Sequence, residues 1–165
     1  MKLKTAFLPL IAIVIIGLTT SFTNPTSKEG DYDWIKQRLT ATKAFTIEVI
    51  NAMPEDKYDF KPEDGVRSFQ EQAYHLVYSI DYYNKLFASG GNAAWSPGAE
   101  DSKSKAEIMK WANDLFDAME KTILSADDNQ QLTSGIMGYL DHNAHHRGQM
   151  VIYLRMNGVA APSYR

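Results

Sequence analysis

Residues 68–91 read SFQEQAYHLVYSIDYYNKLFASGG, and this stretch decides the fold class. Ser68 and Glu71 have the spacing of a capping box, in which each side chain bonds the other residue's backbone amide at a helix start. Gly90 and Gly91 end the pattern, because glycine favours conformations that terminate a helix. Between these signals the apolar residues recur at helical spacing, which predicts one buried stripe. The stripe consists of Phe69, Ala73, Leu76, Ile80, Tyr83 and Phe87.

Three other stretches carry helical patterns, at about 32–53, 105–124 and 133–157. The second of them follows another capping box, formed by Ser104 and Glu107. No stretch shows sustained two-residue alternation, so no sheet is expected. Four helices of about 20 residues with loops of about 8 to 15 residues predict an all-α fold, a four-helix bundle. On the first helix the apolar positions near helical spacing are Trp34, Leu39, Phe45, Val49 and Ala52.

The composition excludes several classes of protein. With 165 residues, 44% of them hydrophobic, the chain can bury a core and is not a disordered protein. The absence of cysteine excludes a disulfide framework, a thiolate nucleophile, a zinc finger and an iron–sulfur cluster. The net charge of −3 leaves no basic field for nucleic acid. Metal binding by imidazole stays open, because three of the four histidines lie between residues 142 and 146.

The N-terminal end has the pattern of a secretory signal peptide, expected over residues 1–21. Lys2 and Lys4 precede a short apolar run at 6–18, and small and hydroxyl residues follow it. The run is shorter than the roughly 20 residues that span a membrane, and a lipid anchor would need a cysteine. We therefore expect an exported protein, periplasmic or extracellular, with one bundle domain over residues 30–165. The alternative is an uncleaved segment that anchors the chain N-terminally in a membrane.

Residues 141–149 read DHNAHHRGQ and lie within the fourth predicted helix. At about 100° per residue, His142 and His146 project about 40° apart on successive turns, so both can bind one metal ion from one helix face. His145 points away from both. Two histidines at this spacing also occur as surface residues, and spacing alone leaves both interpretations open. His75 lies off the apolar stripe of its helix, where we expect it to line a cleft instead of the dry core.

Five segments carry a resemblance to a known family: 52–62 (AMPEDKYDFKP), 66–69 (VRSF), 75–76 (HL), 142–149 (HNAHHRGQ) and 157–165 (NGVAAPSYR). Over essentially the whole length after the signal peptide, the chain resembles the DinB-like superfamily of metal-binding four-helix bundles. The resemblance implies an up-down-down-up bundle. It also implies a divalent metal ion held by three histidines, with open positions for water or substrate. The implied ligands are His75, His142 and His146.

The same resemblance makes His145 the extra histidine of the motif and not a ligand. Three neutral imidazoles with exchangeable water suit zinc or nickel. Metal affinity is expected to fall below about pH 6, as imidazoles near their reference pKa protonate. Gln149 is expected to support the ligands as a hydrogen-bonding neighbour. The residues expected to line the site are Tyr139, His145, Gln149 and Tyr153.

Some relatives in the superfamily are transferases that join a low-molecular-weight thiol to an electrophile, with the metal lowering the pKa of the thiol. The resemblance therefore implies a metal-dependent thiol transferase. The alternatives are a metal-dependent hydrolase, a non-catalytic metal- or ligand-binding module, and histidines that bind nothing. A cleft of about 300 Å³ or more at the histidines would favour an enzyme. The partners considered are a small-molecule substrate or thiol and a second copy of the chain.

The sequence around the histidines offers few groups that could act as a general base or bind a charged thiol. Asp141 and Glu48 are the carboxylates considered as a general base, and the spacing favours neither. Arg147 is the cation beside the motif, and the sequence shows no basic cluster that would hold a charged thiol.

Overall fold

The computed structural model describes residues 30–164, and the predicted signal peptide at 1–21 lies outside the described residues. Within 30–164 the chain forms helices and no strand, so the predicted all-α class is confirmed. Two single-turn 3₁₀ helices, Asp33–Ile35 and Glu55–Lys57, precede and follow the first α-helix. The four α-helices are α1 (Lys36–Ala52), α2 (Phe69–Ala88), α3 (Lys105–Leu124) and α4 (Gln130–Met156).

Helices α1 and α4 run in the same direction. At their first turns, the hydroxyl of Tyr32 donates to the carbonyl of Asn129 at 3.0 Å. Beyond their last turns, the ammonium of Lys57 donates to the carbonyl of Asn157 at 3.1 Å. Because both ends of the two helices meet, α1 and α4 are parallel neighbours.

Helices α2 and α3 run opposite to that pair. The hydroxyl of Tyr153, near the end of α4, donates at 3.0 Å to the carbonyl of Arg67, just before α2. The ends of α2 and α3 meet where Thr122 donates to Asn84 at 2.7 Å. Both α2 and α1 pack against α3 and α4. The bundle is therefore up-down-down-up, with α1 diagonal to α2.

Both predicted capping boxes are present, at Ser68 and Ser104. Helix α4 begins at Gln130, three residues before the predicted start at Thr133. The reason is Asn129, whose side chain accepts from the amides of the second and third helical residues and so caps the helix earlier.

The turn at residues 33–35 departs from the predicted helical register. Trp34, which the pattern places with the apolar positions of the first helix, is 63% exposed. Residues 33–35 form a 3₁₀ turn, in which each residue advances about 120° and not 100°. This difference buries Tyr32 and Ile35 and turns Trp34 towards solvent.

The connection between α2 and α3 folds back over α2. The hydroxyl of Tyr74 donates to the carbonyl of Pro97 at 2.6 Å, and the hydroxyl of Tyr78 accepts from the amide of Ser96 at 2.7 Å. These bonds hold the connection, residues 89–104, against the side of the bundle where α2 meets α4. In the part of the chain that the structure describes, no helix is long and apolar enough to cross a membrane.

Candidate metal centre

Three histidines converge where the antiparallel helices α2 and α4 pack together. His75 comes from the second turn of α2, and His142 and His146 come from successive turns of α4. Each offers one ring nitrogen, and the three nitrogens lie within 4.8 Å of one another. The ring centroids are 4.4 to 5.5 Å apart. We call these three residues the histidine cluster.

The imidazoles of the histidine cluster are neutral at physiological pH. Burial, strengthened by repulsion from the neighbouring imidazoles, lowers the pKa of His142 to about 4 and that of His146 to about 3. Burial also lowers the pKa of His75, although its hydrogen bond to Glu100 opposes the shift. Three converging neutral imidazoles present lone pairs, which is the form that binds a metal ion.

One nitrogen of the cluster lacks a partner. Nδ1 of His142 is buried and finds no hydrogen-bond partner among residues 30–164. Buried polar nitrogens in proteins are normally hydrogen-bonded, and leaving one unpaired costs about 1–3 kcal/mol. The donor set and this unpaired nitrogen together fit a divalent cation that prefers imidazole, zinc and nickel among them.

The rings of His75 and His146 do have partners at Nδ1. Oε1 of Glu100 lies 2.8 Å from Nδ1 of His75. Nδ1 of His146 contacts the amide nitrogen of Gln72 and lies 3.2 Å from Oε1 of Gln149. Because the carboxylate of Glu100 only accepts, Nδ1 of His75 is the donor in that contact, and Nε2 of His75 keeps its lone pair for an ion.

An open cleft of about 690 Å³ borders the histidine cluster at His146. It exceeds the roughly 300 Å³ that a small-molecule site needs. On the other side of the cluster, Trp95 from the α2–α3 connection lies 5.4 Å from the ring of His75 and 6.5 Å from that of His142. The cleft is lined by Lys61, Gly65, Val66, Arg67, Glu71, Gln72, Glu100, His145, His146, Gln149 and Tyr153.

The geometry can be compared with known proteins. A family model described as the DinB superfamily matches residues 38–150. The chain belongs to the DinB superfamily. This DinB-superfamily chain is similar in fold to a DinB-like protein from Bacillus cereus ATCC 10987, with a TM-score of 0.63 and 18% identity over 78% of this chain and 94% of that one.

A DinB-like protein from Bacillus subtilis is similar to the same degree. Its TM-score is 0.63 and its identity 15%, over 81% of this chain and 99% of that one. At such low identities the two structures show the fold alone. No curated protein matches this chain.

Several predicted positions differ from what the DinB-superfamily fold shows. The sequence predicts that Tyr139 lines the site, but Tyr139 is 1% exposed and lies in the core. Its ring centroid lies 5.9 Å from that of Tyr83, whose ring in turn lies 6.0 Å from that of His142. The sequence predicts that His75 lines a cleft and not the dry core, yet His75 is buried, because Trp95 and Glu100 cover it.

The remaining predicted residues lie at the edge of the cleft or away from it. His145 is exposed and lines the cleft outside the histidine cluster, with its Nε2 3.2 Å from the amide nitrogen of Gln149. Gln149 and Tyr153 also line the cleft. Neither Asp141 nor Glu48 belongs to the cleft wall as the structure describes it.

The positively charged residues that line the cleft do not include Arg147, the cation next to the histidines in the sequence. Arg147 is buried on the face of α4 that packs against α1, where it donates to Thr46. Lys61 and Arg67 line the cleft instead, and both come from the segment before α2. The helical periodicity of the sequence could not reveal them, because they reach the cleft through the path of a loop.

Proposed function

We propose that this DinB-superfamily protein binds one divalent metal ion through His75, His142 and His146. We further propose that it is a metal-dependent transferase whose second substrate is an external thiol. The observation that carries the proposal is the convergence of three neutral imidazoles beside a cleft large enough for a small molecule. A divalent cation at this place would supply Lewis acidity that lowers the pKa of a thiol or a water molecule.

The side chains of the cleft define what it can admit. Lys61 and Arg67 offer positive charge, and each faces an acidic partner, Glu71 at 3.3 Å and Glu100 at 2.5 Å. The cleft therefore presents both signs of charge, together with the amide of Gln149. Such a lining suits a zwitterionic or polar small molecule. A low-molecular-weight thiol of that chemistry could form hydrogen bonds with the charged and amide groups of the cleft. Because the chain contains no cysteine, the thiol must come from a second molecule.

A non-catalytic metal- or ligand-binding module is the second candidate. The observation in its favour is that the cleft reaches His146 but is not lined by His75 or His142. Trp95 and Glu100 cover those two rings and restrict access to a bound ion. A metal-dependent hydrolase would use the same cleft with water in place of a thiol. Export of the protein is a further proposal and depends on the N-terminal sequence alone.

The test of metal binding is the metal content of the purified protein. We expect about one divalent ion per chain, lost in His75→Ala and in His142→Ala and kept in His145→Ala. His145→Ala is the matched control, since it removes an imidazole from the same helix outside the cluster. A wild-type protein without metal, or retention of metal by the double variant of His75 and His142, would contradict the proposal.

The test of catalysis uses the metal-loaded and the metal-free protein side by side. Both forms are assayed with a panel of thiols and electrophiles and with a panel of ester and amide substrates. Turnover of a thiol by the loaded form alone would support the transferase, and turnover of an ester or amide would support the hydrolase. Metal binding without turnover in either panel would support the module.

A further inference from the structure

The acidic side chain that touches the histidine cluster comes from a loop and not from a helix. Glu100 lies in the connection between α2 and α3, and its Oε1 is 2.8 Å from Nδ1 of His75. The side chains of both residues are largely buried, with 17% of Glu100 and 11% of His75 exposed. A contact this well shielded from solvent holds its geometry better than an exposed one.

The contact determines which nitrogen of His75 carries a hydrogen. An ionised carboxylate only accepts hydrogen bonds, so Nδ1 of His75 must be the donor. In the neutral ring Nε2 then carries the lone pair. The same contact fixes the rotation of the ring, because the ring must keep Nδ1 directed at Glu100. Glu100 therefore sets both the tautomer and the direction of the ring.

Glu100 is itself held by a second residue. Arg67 donates from Nε to Oε2 at 2.5 Å and from Nη2 to Oε1 at 3.1 Å, which is a two-point contact with a defined plane. Arg67 directly precedes Ser68, the cap of α2, and its carbonyl accepts from Tyr153 of α4. Arg67 is therefore fixed to both helices that carry the histidine cluster, and through it so is the carboxylate.

We propose that Glu100 is a positioning residue of the metal centre, which makes the α2–α3 connection a working part of that centre. The inference rests on the proposed metal binding at the histidine cluster. Carboxylates that hold a ligating imidazole from behind typically raise metal affinity about 10- to 100-fold. Metal binding and the contact of the connection with His75 are then coupled, and by linkage each stabilises the other by the same factor.

The first experiment measures zinc affinity by competition with a chromophoric chelator for the wild type and three variants. We expect Glu100→Ala to bind zinc about 10- to 100-fold more weakly. Glu100→Gln should recover much of this loss, since its amide oxygen can still accept from Nδ1. Asp101→Asn is the matched control, because it removes an exposed carboxylate from the next position of the same loop and should leave the affinity unchanged.

A second readout separates positioning from a structural role. The absorption spectrum of the cobalt-loaded protein reports the arrangement of the ligands, and the urea midpoint of the metal-free protein reports stability. We expect Glu100→Ala to change the cobalt spectrum while Glu100→Gln restores it. Equal zinc affinities in the wild type and Glu100→Ala would overturn the inference and leave the proposed function intact. A loss that only parallels the urea midpoint, without rescue by Glu100→Gln, would also overturn it.

The coupling has its own measurement. Hydrogen exchange of residues 92–101 is compared with and without zinc, in the wild type and in Glu100→Ala. We expect zinc to slow exchange of this segment in the wild type and to have little effect on it in the variant. Exchange that zinc leaves unchanged in the wild type, although zinc binds, would contradict the coupling. A wild type that binds no zinc at all would overturn both the inference and the proposed function.

Discussion

Helix α4 carries two pairs of polar residues at the same spacing, and the two pairs behave differently. His142 and His146 face α2, while Asn143 and Arg147, each one residue further along, face α1. On the α1 side, Nη1 of Arg147 donates at 3.0 Å both to Thr46 and to Asn143, and Thr46 donates to Asn143 at 2.8 Å. We call Thr46, Asn143 and Arg147 the polar clamp.

The difference follows from the chemistry of the side chains. A guanidinium only donates and the amide oxygen of Asn143 accepts, so the polar clamp bonds within itself and joins α1 to α4. In the histidine cluster one nitrogen of each ring lies within 4.8 Å of the others, and Nδ1 of His142 has no hydrogen-bond partner within residues 30–164. Two helical pairs with one spacing thus have two roles. Asn143 and Arg147 bond α4 to α1, whereas His142 and His146 offer nitrogen atoms that could bind a metal ion.

The largest effect is expected when the polar clamp is removed. Arg147→Ala deletes two hydrogen bonds and the packing of the guanidinium on the ring of Phe45, 4.6 Å away. We expect the free energy of unfolding to fall by about 2–4 kcal/mol, measured by urea denaturation. The variant that remains folded at low temperature should still bind one metal ion per chain, because its histidine cluster is intact.

His142→Ala is the opposite half of this comparison. It should abolish metal binding but lower the free energy of unfolding of the metal-free protein by less than about 1 kcal/mol, since Nδ1 of His142 makes no hydrogen bond within residues 30–164. A comparable loss of stability in the two variants would show that both faces of α4 are structural.

The sequence predicts the helices well because their signals are local. Ser68 and Ser104 cap their helices through residues only three positions away, and the patterns between caps and glycines need no tertiary information. The spacing of His142 and His146 is equally local. Glu100 could not be found in this way, because its role depends on a loop that returns to His75 from 25 residues away.

Local sequence signals do not predict the polar clamp either, because they do not show how the helices pack. Arg147 stands beside the histidines in the sequence, and this suggests a cation at the metal site. Its direction depends on where α1 packs, and one residue along a helix turns a side chain by about 100°. Only the arrangement of the helices shows that Arg147 and the histidine cluster lie on different faces of α4.

Acid should distinguish the two faces next. In the folded protein the pKa of His142 is about 4 and that of His146 about 3, whereas imidazole in the unfolded chain has a pKa of about 6.5. Below pH 6.5 the unfolded state therefore binds more protons than the folded state. The free energy of unfolding of the metal-free protein should accordingly fall as the pH is lowered from 7 towards 4.

Urea denaturation between pH 7 and 5 measures this slope. The slope should become smaller in the double variant of His142 and His146 to Ala, and Arg147→Ala should leave it unchanged. An identical slope in the double variant would show that other groups cause the acid sensitivity. Zinc affinity should also persist to a lower pH than the pH 6 expected from unperturbed imidazole, because the pKa values of all three histidines are lowered and protons compete less.

Two threonines one turn apart on α1 test the hydrogen bonds of the polar clamp one at a time. Thr46 belongs to the polar clamp, while the buried hydroxyl of Thr42 has no hydrogen-bond partner within the described chain. Thr46→Val removes a partner from Asn143 and Arg147 and should lower the free energy of unfolding by about 1–2 kcal/mol. Thr42→Val makes the same change of shape but removes an unpaired hydroxyl. It should leave the free energy of unfolding unchanged or raise it by about 0.5 kcal/mol. Because the two substitutions make the same chemical change, the difference between their free energies of unfolding, measured by urea denaturation, gives the contribution of the polar clamp. Equal losses in the two variants would mean that the hydrogen bonds of the polar clamp add no stability of their own.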